Sequence, residues 1–267
     1  MEVEHKDSNV DIQTTTVWSF PERGKWATHN SKYRGNWAPQ IPRNLILLYS
    51  KEDDIVFDPM VGSGTTMIEA KLLKRRGIGF DIHPEVVAIA KSACHFEKEK
   101  GMSEPEIEVG DARKLNKIKD ESVDLIATHP PYLNIIQYGN KEVEGDLSRI
   151  NSLQKFCDQI ELVAKECFRV LKPNKYCAIL IGDTRRRRHF VPLAFNVMQR
   201  FLKAGFILKE DIIKLQHNCM TTRYWNAQQR DFLLIMHEHL FIFRKPKVGE
   251  DISQLKDSWE FAHDKKS

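Results

Sequence analysis

Between residues 54 and 246, short apolar runs alternate with longer stretches of helical spacing, and this alternation restricts the chain more than any other feature. "DIVFDP" (54–59), "GIGFDI" (77–82), "IEVGDA" (107–112), "SVDLIAT" (122–128) and "KYCAILIGD" (175–183) are strand-length and rich in Val, Ile and Leu. Such runs suit strands buried on both faces. Between them, 64–77, 84–101, 152–173 and 191–205 space their apolar residues as amphipathic helices do. "FILKEDIIKLQ" (206–216) and "HLFIFRKP" (239–246) are two late strands. The alternation predicts an α/β fold with a doubly wound, mostly parallel sheet. Such sheets bind ligands at the carboxyl ends of their strands, so each strand end is a place to look for chemistry.

The first strand runs into "FDPMVGSGTT". Asp58 ends it. Gly62 and Gly64 permit a tight turn and close backbone approach to a ligand, and Thr65 and Thr66 can cap the helix that follows. A phosphate-binding loop would place Lys after Gly64, where Thr65 stands. A dinucleotide fingerprint would place a third glycine at position 67, which is Met67. The second strand ends in Asp81, twenty-three residues after Asp58, where an acid can take both hydroxyls of a ribose. The third ends in "GDA", where Asp111 can accept from the exocyclic amine of an adenine and Ala112 offers backbone groups. Three acids at successive strand ends around a glycine turn describe a site for a nucleoside cofactor that carries no phosphate.

The fourth strand ends abruptly in "THPPY". Neither proline can donate to a sheet, so the ladder stops there, and a carbonyl in the stiff turn can point outward. Together, "DPMVGSGTT" and "THPPY" resemble the S-adenosylmethionine-dependent DNA methyltransferases that modify N4 of cytosine or N6 of adenine, the restriction–modification type. The resemblance runs over about residues 37 to 245. It implies a seven-stranded sheet of the class I (Rossmann-like) methyltransferase type with its last strand antiparallel. It implies that Asp58, Pro59, Gly62, Ser63, Gly64 and Thr65 hold the methionine part, Asp81 and Ile82 the ribose, and Asp111 and Ala112 the adenine. "NWAPQIPRNLILLYS" (36–50) resembles the segment beside the methionine pocket. The cofactor half precedes Pro-Pro-Tyr here, so the chain looks circularly permuted relative to many relatives.

By the same resemblance His129, Pro130, Pro131 and Tyr132 form the catalytic elbow. An exocyclic amine has its lone pair delocalised into the ring and must be drawn toward tetrahedral geometry by acceptors. Those would be the Pro130 carbonyl and His129, with Tyr132 stacked on a flipped base. This chemistry needs no metal. Ring-carbon methylation needs a nucleophilic cysteine after a proline, and no Pro-Cys occurs. His129 departs from the family's Asp, Asn or Ser: a neutral imidazole accepts one hydrogen bond, a protonated one none. "THPPY" is one letter from a form common in cytosine-N4 enzymes, so cytosine N4 is the preferred target and adenine N6 the alternative.

The net charge of +4 does not by itself point to nucleic acid. Its distribution is more telling. "GDTRRRRHF" (182–190) puts Arg185, Arg186, Arg187 and Arg188 at the active edge, suited to duplex phosphates. "QHNCMTTRYWNAQQRDF" (216–232), with Arg223 and Tyr224, has the composition of a base-reading loop. The expected organisation is an N-terminal arm offered as a DNA contact (1–36), a methyltransferase domain (37–246) carrying a small target-recognition insert at about 216–237, and a polar tail (247–267). Double-stranded DNA is the expected partner, with a cognate restriction endonuclease as a further one, and the chain is expected to be a monomer or homodimer. No run nears the ~20 apolar residues of a membrane span. No secretory signal opens the chain, and none of the five cysteines forms a C-x-x-C pair. These features point to a cytoplasmic protein with reduced thiols. Two other readings stay open: an RNA or tRNA base methyltransferase, and a DNA-binding relative without catalysis.

Overall fold

The computed structural model describes residues 12–135, 143–217 and 231–260. The strands are β1 (Val17–Ser19), β2 (Ile55–Asp58), β3 (Arg76–Asp81), β4 (Glu106–Val109), β5 (Val123–Thr128), β6 (Leu171–Ile181), β7 (Thr184–Arg186), β8 (His189–Val191), β9 (Ile207–Leu215) and β10 (His237–Arg244). The α-helices are α1 (Gln40–Tyr49), α2 (Thr65–Leu72), α3 (Pro84–Ala93), α4 (Leu153–Val170) and α5 (Leu193–Lys203).

The main sheet has the order β1-β9-β10-β6-β5-β2-β3-β4. Only β10 is reversed, antiparallel to both β6 and β9. Alternate residues of β6 show why both faces are covered. Cys177, Ile179 and Ile181 pack with α4 and α5, while Ala178 and Leu180 pack with α1. No described helix is long and apolar enough to cross a membrane. Cys94, Cys157, Cys167 and Cys177 are buried free thiols, and Cys219 lies outside the described residues.

Three local expectations change. The sheet has eight strands, not seven, because β1 joins the edge parallel to β9. Its central Trp18 is 1% exposed and covers Ile212, Leu240 and Ile242, an apolar patch that would otherwise face water. Helix α3 ends at Ala93 rather than near Gly101. The buried Lys71 ammonium takes the Cys94 and Phe96 carbonyls (2.9 and 2.8 Å) and holds the chain out of helix. Helix α4 stops at Val170 because Pro173 disfavours helical backbone at Lys172.

The N-terminal segment is also tied into the body. Glu69 of α2, fully buried, accepts from Trp26 Nε1 (2.7 Å), pairs with His29 Nε2 (2.6 Å) and accepts from Arg43 Nη1 (2.9 Å). The described part of residues 12–36 thereby becomes a wall of the cleft described next.

Candidate active site

A cleft of about 780 Å³ opens at the carboxyl ends of β2, β3, β4 and β5. Asp58, Pro59, Gly62, Ser63, Thr65, Asp81, Ile82, Asp111 and Ala112 all line it, as do His129 and Pro131. Gly64 does not line it and serves it indirectly. At φ +89° it begins α2, and a Cβ there would sit 3.2 Å from the Ala90 backbone of α3. The cap is therefore this glycine and not a threonine. Thr66 turns its hydroxyl to Asp58 instead.

Asp58 is buried, and both its oxygens are engaged. Thr66 Oγ1 donates to Oδ2 (2.6 Å), while Thr128 Oγ1 and the Met60 N–H donate to Oδ1 (2.7 and 3.1 Å). Burial pushes its carboxyl up to about 6 against these bonds. One carboxylate thus joins the glycine turn to Thr128, the residue before His129. Asp81 braces the same turn, accepting from Gly62 N (3.2 Å) and His83 N (3.0 Å), and burial raises its carboxyl too. Asp111 is more open. Burial pushes its carboxyl up, but the hydrogen bonds and charge of Arg113 outweigh this and hold it below the usual range.

Three wall elements, Tyr33, His83 and residues 145–147, have no counterpart in the sequence reading, whereas Trp37 belongs to the 36–50 segment expected beside the methionine pocket. Tyr33 and Trp37 come from the N-terminal segment. His83 reaches across to Asp146 (Nε2 to Oδ2, 3.1 Å), which brings residues 145–147 over the cleft. Asp146 is thus a fourth acid around a cleft with no Lys or Arg in its described lining. A wall of carboxylates favours a cation and gives a phosphate no clamp. These residues fit S-adenosylmethionine: a glycine turn for close approach, acids for ribose and adenine, and negative charge for a sulfonium.

The elbow after β5 is built from distant pieces. His129 stacks on Trp37, with ring centroids 5.8 Å apart and planes 22° apart. Its Nε2 lies 2.7 Å from the Tyr132 hydroxyl, which donates to Glu238 Oε1 at 2.7 Å. Lys214 of β9 donates to Glu238 Oε2 at 2.9 Å. Burial pushes Glu238 up, but the Lys214 and His129 interactions and the Tyr132 bond outweigh it, so it stays ionised. Burial holds the His129 imidazole down at about 4. Gly182, at the end of β6, makes room for Tyr132: a Cβ there would lie 2.7 Å from the ring. Leu133 follows at φ +55°, buried, and fixes the turn. Tyr132, expected to stack on a base, is half-buried and is not among the cleft-lining residues; nor is Pro130.

The model of the N6/N4 DNA methylase family matches residues 2–92 and 123–266. The chain belongs to this family. A general methyltransferase-domain model matches residues 59–130, and S-adenosylmethionine is the cofactor. The chain is 38% identical over 98 residues to the Type II methyltransferase M2.DpnII of Streptococcus pneumoniae, covering 35% of each protein. It is 35% identical over 102 residues to the tRNA (guanine(10)-N2)-dimethyltransferase of Methanothermobacter thermautotrophicus, covering 38% of this chain and 29% of that one. The first curated relatives are matched over about a third of their length. An S-adenosylmethionine-dependent methyltransferase structure from Methanosarcina mazei shares the fold, with a TM-score of 0.53 and 17% identity over 76% of this chain and 97% of that one.

In this chain the arginine run forms the β7–β8 hairpin on the same edge. Arg187 and Arg188 are its two loop residues, both left-handed (φ +49° and +71°), the type I′ pattern that usually takes Asn-Gly. Arg185 lies over the Phe232 ring (4.9 Å) and donates to the Leu233 carbonyl (2.9 Å). Arg186 donates to Asn151, and Arg188 pairs with Asp231 (2.9 Å). Arg187 is exposed and has no polar partner among the described residues. Arg223 and Tyr224 lie outside the described residues.

Proposed function

We propose that the chain transfers a methyl group to the exocyclic amine of a base in double-stranded DNA, N4 of cytosine being the reading favoured by Thr-His-Pro-Pro-Tyr and N6 of adenine the alternative. The observation that carries this is the state of His129. The Tyr132 hydroxyl gives its proton to Glu238, so it accepts from His129, and the imidazole proton sits on Nε2. That leaves Nδ1 as a lone pair on a residue in the cleft wall, with no partner among the described residues. A neutral histidine held in this tautomer does the work of the family's Asp, Asn or Ser.

S-adenosylmethionine supplies an electrophilic methyl on a cationic sulfur. His129 Nδ1 and the Pro130 carbonyl accept the two amine hydrogens and draw the nitrogen toward tetrahedral geometry. As the amine takes up the methyl that the cofactor would supply, the surplus amine proton would pass to His129 Nδ1 and on to water. A weak base suffices, because an N-methylated ring ammonium is a strong acid. Tyr132, Glu238 and Lys214 act through His129 as positioning residues. The β7–β8 hairpin and the insert at 216–237 supply the duplex contacts, Arg187 to phosphate. Two partner expectations, a cognate endonuclease and a monomer or homodimer, remain part of this reading, as does a cytoplasmic setting.

Nucleoside analysis of DNA from cells expressing the full chain tests this. N4-methylcytosine, or N6-methyladenine for the alternative, is the expected product. Methyl transfer to tRNA and not to DNA, in keeping with the tRNA-modifying relative, would overturn it. Cofactor binding without transfer to either would leave a DNA-binding relative.

A further inference from the structure

Strand β10 opens with His237, Glu238 and His239. Glu238 faces Tyr132 and Lys214. Its two neighbours face the other side of the sheet, as alternation in a strand requires. There β6 ends and is followed by Asp183, whose side chain is 1% exposed. Oδ1 of Asp183 accepts from the Ala194 N–H at the start of α5 (2.8 Å). Its Oδ2 is buried and has no hydrogen-bond partner among the described residues. An ionised oxygen left in that state is costly unless something unseen completes it.

The nearest cationic candidate is His239, whose Nε2 lies 3.8 Å from Asp183 Oδ2. Its Nδ1 faces Asp211 of β9, 3.0 and 3.2 Å from the two carboxylate oxygens. A carboxylate there fixes the proton on Nδ1 and turns the Nε2 lone pair toward Asp183, the arrangement that orients metal-bound histidines. The His237 ring is 5.3 Å from that of His239, and one ligand atom from each of Asp183, His237 and His239 lies within 4.8 Å of the others. No other such group occurs among the described residues. Donors on a tetrahedral zinc sit roughly 3.4 Å apart, so only small side-chain shifts are needed to close the set.

We propose that Asp183, His237 and His239 bind a divalent transition metal of the zinc class, with Asp211 as the carboxylate behind His239 and water completing the shell. Two imidazoles and one carboxylate suit zinc and its neighbours, not Mg²⁺ or Ca²⁺. The site lies outside the cofactor cleft, so no step of methyl transfer runs through it. It clamps the end of β6 to the start of β10, at the root of the arginine hairpin and of the segment leading from residue 217 to 231.

The full chain, stripped with chelator, is titrated with Zn²⁺ and separately with Co²⁺ and Mg²⁺. One Zn²⁺ per chain, a rise in Tm, and a visible Co²⁺ spectrum of low-symmetry nitrogen–oxygen ligation are expected, with no effect of Mg²⁺. His237→Ala, at a half-buried position, keeps the fold and loses the site. Asp211→Asn weakens binding about 10–100-fold. Absence of Zn²⁺ binding by the wild type overturns the proposal. So does Zn²⁺ binding unchanged in His237→Ala, which would assign the ion to other histidines or thiols.

Discussion

At the ends of β2, β3 and β4 the carboxylates are held by backbone N–H groups, by threonine hydroxyls and, at Asp111, by a near neighbour in sequence. At the ends of β5, β6 and β10 the polar groups are held by one another. Asp81 leans on His83 and Gly62, Asp58 on Met60 and Thr66, Asp111 on Arg113. His129, Tyr132, Glu238 and Lys214 form a chain in which each side chain is set by the next. The first half is a rigid receptor whose parts act nearly independently. The second is a relay in which one change moves the proton at its far end. Asp58 is the exception that couples them, through Thr128.

The sharpest way to break this comparison is Glu238→Gln. An amide can donate to the Tyr132 oxygen, which frees the hydroxyl to donate to His129 Nε2 and shifts the imidazole proton to Nδ1, where the acceptor should be. Turnover should fall about 100-fold or more, while the Kd for S-adenosylmethionine stays within about twofold. Single-turnover methyl transfer beside equilibrium cofactor binding measures both. An equal loss in the two would mean that Glu238 merely holds the fold.

The complementary change is Asp111→Ala. Loss of one or two hydrogen bonds to the cofactor should weaken its Kd about tenfold. At saturating cofactor, kcat should stay within about threefold, because nothing in the relay touches Asp111. If kcat collapses at saturation, the two halves are not separable as described.

The same contrast explains what was legible in the sequence. The glycine turn, the three strand-end acids and the Pro-Pro elbow could be read because their meaning is local. Gly62 and Gly64 need left-handed backbone, and Asp81 and Asp111 bond two residues ahead. The relay could not be read. Tyr132 and Glu238 are 106 residues apart and meet only because β10 inserts beside β6, with Gly182 clearing space for the ring. Tyr33 was missed as a cleft wall for a similar reason. The N-terminal segment is fixed by Glu69, a buried acid whose partners are Trp26 and His29 of that segment and Arg43 of α1. β1 escaped notice because three residues carry too little periodicity to announce a strand.

A smaller effect is expected at the arginine hairpin. Arg187 holds a left-handed backbone that glycine adopts freely, at a cost of about 1–2 kcal/mol. Arg187→Gly should therefore raise stability by about 1 kcal/mol and weaken DNA binding a few-fold, lowering the salt slope by about 1. Thermal melts and binding isotherms across salt concentrations check both. A gain in stability with an unchanged salt slope would remove Arg187 from the phosphate contacts and leave its strain without a use.

The smallest effect is one of pH. Burial places His129 at about 4 in the folded chain, below the ordinary value of 6.5. As pH falls through 6.5 the unfolded chain takes up this proton first, so the stability contributed by His129 is complete above about 6.5 and declines toward pH 4. Asp58 works the other way: raised to about 6, it binds its proton in the folded chain first and so opposes that decline between about 6 and 4. For catalysis the sign is simpler. Nδ1 stays unprotonated from neutrality to about pH 5, so turnover at saturating substrates should change less than about twofold from histidine titration over that range. NMR titration of the His129 ring gives the midpoint directly. A midpoint near 6.5 would put a proton on Nδ1 in a sizeable fraction of molecules at pH 7, and an acceptor that is partly a donor cannot hold an amine for methylation.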